Sequence, residues 1–109
     1  MEALVAAGHH VLGIDDQTHA CGHPLPAGVD LLTADAGGAE AAHALREFRP
    51  HRVLHLASKG GVERARRDPA SHVRASVASS VALFESAAAA GASRLVAASS
   101  GGAVYGHAA

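Results

Sequence analysis

Four short apolar runs, at residues 11–14, 29–33, 52–57 and 94–98, alternate with stretches of helix-forming residues along the chain, and this alternation constrains the fold more than any other feature. Short apolar runs of this kind suit strands buried on both faces, as in a parallel sheet sandwiched between helices. The order helix, strand, strand, helix, strand, helix, strand predicts an α/β domain on a doubly wound parallel sheet.

Local signals place the elements. Residues 2–7 are good helix formers, and Gly8 supplies a left-handed C-cap after them. The first apolar run meets polar groups at its carboxyl end, Asp15-Asp16, and residues 17–28 carry two Pro and two Gly, which read as a loop. After the second run come Asp35 and a Gly37-Gly38 turn into a helix over 39–48, stopped by Pro50. Residues 58–67 read as a polar, basic loop. Asp68-Pro69 then starts a helix, with the Asp side chain as N-cap and Pro at the first helical position. That helix runs to about residue 90 with Val73, Val77, Val81, Phe84 and Ala88 along one apolar stripe, and Gly91 closes it. Residues 99–109 form a loop of small residues, and no internal repeat is present.

Composition limits the rest. Hydrophobic residues make up 49% of the 109, but Trp is absent and there are two Phe and one Tyr, so a single core must be built from Ala, Val and Leu and will be thin. A formal charge of −1 provides no basic field for nucleic acid or an anionic membrane. No apolar run approaches the roughly 20 residues that cross a bilayer. Cys21 is the sole cysteine, which rules out an internal disulfide and fits a reducing cytoplasm. The first residues lack a basic segment and read as the end of a helix rather than a signal peptide. His19, Cys21 and His23 alternate in a loop, but a spacing of two matches no usual zinc pattern, and no metal site is expected.

Three segments in order, AAGHHVLGIDD with GVDLLTAD behind it, VLHLAS followed by RRDP, and AASSGGAVYG, resemble the extended short-chain dehydrogenase/reductase family. Within it they are most similar to the NAD-dependent epimerase/dehydratase branch of the UDP-glucose 4-epimerase-like enzymes. The resemblance covers nearly the whole chain. It implies that residues 1–109 are a partial NAD(P)-binding Rossmann domain, with NAD as cofactor, a nucleotide-sugar as substrate and a homodimer in the parent enzyme. In that family, bound NAD takes a hydride from C4 of the sugar and returns it to the other face.

The resemblance also assigns residues. Asp15 falls at the tip of a strand where a carboxylate accepts hydrogen bonds from the adenosine ribose hydroxyls and repels the extra phosphate of NADP; the plain alternative is an Asp that starts a turn. Asp16 reads as a turn residue. Asp35 matches the family's acid near the adenine amino group, with a turn or helix-cap acid as the alternative. Ala57 and Ser58 match the stretch where backbone passes the pyrophosphate and nicotinamide ribose, which small side chains permit. His55 reads as a packing histidine. Lys59, Arg64, Arg66 and Arg67 read as a solvated basic face, with contact to substrate phosphates as the alternative. Ser76 and Ser79 stand where the family usually has Asn and Gly. Aligned on Val104-Tyr105-Gly106, the family's catalytic Ser/Thr position falls on Gly101, which leaves Ser100 as the nearest hydroxyl and the catalytic candidate, with Ser99 as the alternative. Tyr105 is not the family's general base, which belongs to a later Tyr-x-x-x-Lys helix.

The family's opening strand with its Gly-x-x-Gly-x-x-Gly turn has no match here. In the doubly wound order that strand is central, so a Rossmann-type sheet lacking its first strand is expected to be split at its middle, between the runs at 11–14 and 52–57. The reading is therefore a fragment of a nucleotide-sugar epimerase that contributes part of the NAD site and is inactive alone. A related dehydratase or reductase, and a non-catalytic nucleotide-binding remnant, are the alternatives.

Overall fold

The structure is a computed structural model, and it describes residues 1–18, 22, 24–58, 62–100 and 106. The order of elements is α1 (Glu2–Ala6), β1 (Val11–Asp15), β2 (Val29–Thr33), α2 (Ala39–Phe48), β3 (Arg52–His55), α3 (Val62–Arg67), α4 (Pro69–Val73), a π-helical turn (Arg74–Ala78), α5 (Ser79–Ala89) and β4 (Arg94–Ala97). The α/β alternation expected from the apolar runs is present.

All strand pairing among the described residues is parallel. β1 pairs with β2 from Val11 opposite Val29 to Asp15 opposite Thr33, and β3 pairs with β4 from Arg52 opposite Arg94 to His55 opposite Ala97. The two pairs form separate two-stranded sheets. This is the split expected between the first and third apolar runs. Among the described residues β1 and β3 each have one neighbour in a sheet, so each carries one edge without a ladder partner in it.

Local rules explain most boundaries. Gly8 ends the first helix at φ 81°, a conformation that costs glycine little. The helix over 39–48 ends at Arg49, itself left-handed at φ 51°, immediately before Pro50. Asp68 caps α4 by accepting from the Ser71 N–H at 3.0 Å, with Pro69 in the first helical position.

Three expectations need correction. The third strand ends at His55, two residues short of the apolar run, so Ala57 and Ser58 lie beyond it. Within the stretch read as a basic loop, Val62–Arg67 is helical; the segment VERARR is rich in helix formers and Arg67 Nε donates to Glu63 Oε1 at 3.1 Å one turn away. The long helix is continuous to Ala89 but contains the π turn, and its valine stripe does not face the core: Val73, Val77 and Val81 are all about half exposed. Its buried face is instead Leu83, Ala87 and Ala90, one turn apart.

The core is thin, as the residue types require. α2 packs against α5, and the buried apolar residues are Ala41 and Leu45 of α2 with Leu83, Ala87 and Ala90. Ile14, Ala36 and Phe84 pack around this cluster. On the second sheet Leu54 and Val96 are register partners and both are exposed, so one face of that pair is covered by helix and the other is not.

Candidate functional site

Parallel strands all point their carboxyl ends the same way, so side chains just past those ends converge. Here the ends of β1, β2 and β3 and the π turn surround an open cavity of about 130 Å³. The Ala34 N–H donates to the Asp15 carbonyl at 3.1 Å, which extends the β1–β2 ladder and holds the segment after β2 beside the tip of β1.

Asp15, Asp35, Ala57 and Ser58, the four residues expected to contact cofactor, all line this cavity. They come from three different connections of the chain. Asp16 lines it as well, so three carboxylates face one space, and no Lys or Arg is among the described lining residues.

Each carboxylate is also held by its own loop. Asp15 Oδ1 accepts from the Gln17 N–H at 2.7 Å, and Gln17 is left-handed at φ 59°. Asp16 Oδ1 accepts from the Thr18 N–H at 3.0 Å and from Thr18 Oγ1 at 2.7 Å. Asp35 Oδ1 accepts from the Gly37 N–H at 2.9 Å and from Ser79 Oγ at 2.6 Å. The turn reading of these acids and their placement in the cavity therefore hold together: the turns orient carboxylates that the strands have delivered.

The helix supplies the far wall through Ala75, Ser76, Ser79 and Ser80. Ser80 Oγ donates to the Ser76 carbonyl at 2.5 Å, a side-chain bond that competes with the helical ladder where the π turn occurs. With that hydroxyl proton committed, His55 Nε2, 2.8 Å away, donates to Ser80 Oγ. His55 also meets the Phe84 ring edge-on at 5.5 Å, so it is a packing histidine that joins β3 to α5. Ser76 Oγ is buried without a hydrogen-bond partner among the described residues. A buried hydroxyl left unmatched is costly.

The structure does not bring the remaining candidates together with these. Ser100 is exposed beyond β4 and does not line the cavity. Arg66 and Arg67 are exposed and do not line it either, with Arg67 turned to Glu63. Lys59, Gly101, Tyr105 and the His19, Cys21 and His23 group lie outside the described residues, as does the side chain of Arg64. Among the described residues no group of His, Cys, Asp or Glu could hold a metal ion, and no helix is long and apolar enough to cross a membrane. Sequence reasoning missed Thr18, Ala75 and Ser80 as cavity residues. A signal for two of them existed, since Ser76 and Ser80 fall one turn apart on the helix with Ala75 and Ser79 beside them.

The family model for the NAD dependent epimerase/dehydratase family matches residues 1–109, the whole chain. The chain belongs to that family. A UDP-glucose 4-epimerase of Mycolicibacterium smegmatis is 34% identical over 111 aligned residues, which cover 97% of this chain and 36% of the relative. A UDP-glucose 4-epimerase of Thermotoga maritima solved with UDP-glucose superposes with a TM-score of 0.85 at 23% identity, over 94% of this chain and 33% of that one, and shows the shared fold. The UDP-glucose 4-epimerase of Thermus thermophilus solved with NAD gives a TM-score of 0.77 at 28% identity, over 86% of this chain and 30% of that one. This member of the epimerase/dehydratase family thus spans about a third of the length of the relatives it matches. Its two sheet pairs are the Rossmann-type arrangement expected from the sequence.

Proposed function

We propose that residues 1–109 are part of an NAD-binding Rossmann domain and supply part of the NAD site in a nucleotide-sugar epimerase acting on a UDP-sugar such as UDP-glucose. The observation that carries the reading is the convergence of Asp15, Asp35, Ala57 and Ser58 on one cavity at the carboxyl ends of parallel strands. The residues at the strand tips fit the cofactor. Carboxylates at the strand tips suit ribose hydroxyls and an amino group, and Asp15 beside the adenosine ribose opposes the additional phosphate of NADP.

In this reading Asp15 accepts from the adenosine ribose hydroxyls, Asp35 faces the adenine amino group, and Ala57 and Ser58 let backbone approach the pyrophosphate and nicotinamide ribose. When bound, NAD supplies the hydride acceptor for oxidation at C4 of the sugar. Ser100 is the hydroxyl nearest the family's catalytic position and would bond the reacting sugar hydroxyl. The chemistry belongs in the cytoplasm, which the single cysteine fits. The exposed Val73, Val77 and Val81 support a homodimer that covers this stripe.

Calorimetric titration with NAD tests the reading, using protein expressed from the complete reading frame that contains the chain. A Kd tighter than about 100 μM, roughly −5.5 kcal/mol, is expected, and no heat of binding overturns it. Incubation with UDP-glucose then separates the activities: UDP-galactose marks an epimerase, and a 4-keto-6-deoxy sugar marks the dehydratase reading.

A further inference from the structure

Ser79 ties the helix wall of the cavity directly to an acid delivered by another part of the chain. Its hydroxyl donates to Asp35 Oδ1 at 2.6 Å across 44 positions in sequence. The same oxygen accepts from the Gly37 N–H at 2.9 Å. Two donors on one oxygen leave the carboxylate little rotational freedom, because turning it breaks both bonds. The contact is also built into the backbone: a Cβ on Gly37 would lie 2.6 Å from Ser79 Cα and 2.7 Å from its Oγ, so the loop after β2 rests directly on the start of α5. The π turn immediately before Ser79 widens the helix by one residue per turn and sets which side chains reach the cavity.

We propose that Ser79 is a positioning residue for base selection: by fixing the Asp35 carboxylate it makes the site selective for a purine with an amino group at position 6 over one with a carbonyl there. The inference rests on the NAD reading above. A carboxylate only accepts hydrogen bonds. Held toward the base, it is matched by an exocyclic amino donor and opposed by a carbonyl oxygen. A carboxylate free to rotate turns away from the carbonyl and discriminates less. Discrimination of this kind comes from leaving polar groups unmatched rather than from cavity size.

The test compares Kd values for NAD and for nicotinamide hypoxanthine dinucleotide, its 6-oxo analogue, in protein from the complete reading frame. The parent is expected to prefer NAD on the order of 10-fold or more, the range of one hydrogen bond to a charged group. Ser79→Ala is expected to lower the preference to within about threefold, Asp35→Asn to do the same, and the double variant to lower it no further, as coupled residues do. Ser79→Cys keeps the side-chain shape with a weaker donor and carries the same prediction where alanine prevents folding. If Ser79 only braces the loop, both dinucleotides weaken by one factor and the preference survives; that result overturns the inference and leaves the NAD reading standing. Failure of the parent to bind either dinucleotide overturns the NAD reading, and this inference falls with it.

Discussion

Gly37 lies so close to Ser79 that a Cβ added to it would stand 2.5 Å from the Ser79 carbonyl oxygen, a separation that real Cβ atoms do not show. The obstructing atom is backbone, so the loop or the helix must move. Gly37→Ala is therefore expected to lose roughly 1–3 kcal/mol, the usual range for overpacking. Urea unfolding measures it, and Gly38→Ala is the control, because its nearest obstacle is the Asp35 carbonyl at 3.1 Å.

The helix buries its alanine and leucine face and exposes its valines. Leu83→Ala removes a side chain only 4% exposed and is expected to cost about 2–5 kcal/mol, whereas Val77→Ala, at 56% exposure, is expected to cost well under about 1 kcal/mol in the monomer. Equal losses in denaturant titrations would contradict the observed orientation of the helix. Sedimentation of Val77→Ala at several concentrations tests whether that stripe holds a dimer.

Asp68 begins the helix from outside by accepting from Ser71. Asp68→Ala is expected to destabilise by about 1 kcal/mol, and Asp68→Asn, which keeps an acceptor at the cap, by a few tenths. Thermal melts of the three proteins measure the order.

At the tip of β1 the Asp15 carboxylate lines the cavity beside two others. Asp15→Ala is expected to weaken NAD binding by roughly 10-fold, in line with a hydrogen bond to a charged group. The variant should also narrow the gap between NAD and NADP, because the charge opposing the additional phosphate is gone. Titration with both dinucleotides reads the ratio; a parent that already binds NADP as well as NAD would contradict the role given to Asp15.

Most of the architecture was legible in the order of residues alone. The apolar run ending at Asp15, the Gly37-Gly38 turn and the Asp68-Pro69 start are local signals, and each element they mark is found with its bounds within a residue or two. The residues that share the cavity were legible for a different reason. The family's motifs give Asp15, Asp35, Ala57 and Ser58 their places, and all four meet in the cavity. Thr18 was not legible, because a small polar residue in a loop carries little sequence signal until a neighbour is known. The Val73, Val77 and Val81 stripe misled, since periodicity shows that an apolar face exists and not which partner covers it.

The sequence by itself determined the α/β order, the parallel pairing it requires and the acids at the strand tips, because helix caps, turns and apolar runs act over a few residues. Only the tertiary structure decided which face of the long helix is buried and that Ser79 holds Asp35. Those outcomes depend on segments 44 residues apart coming within hydrogen-bond distance, and on Gly37 having no side chain to keep them apart.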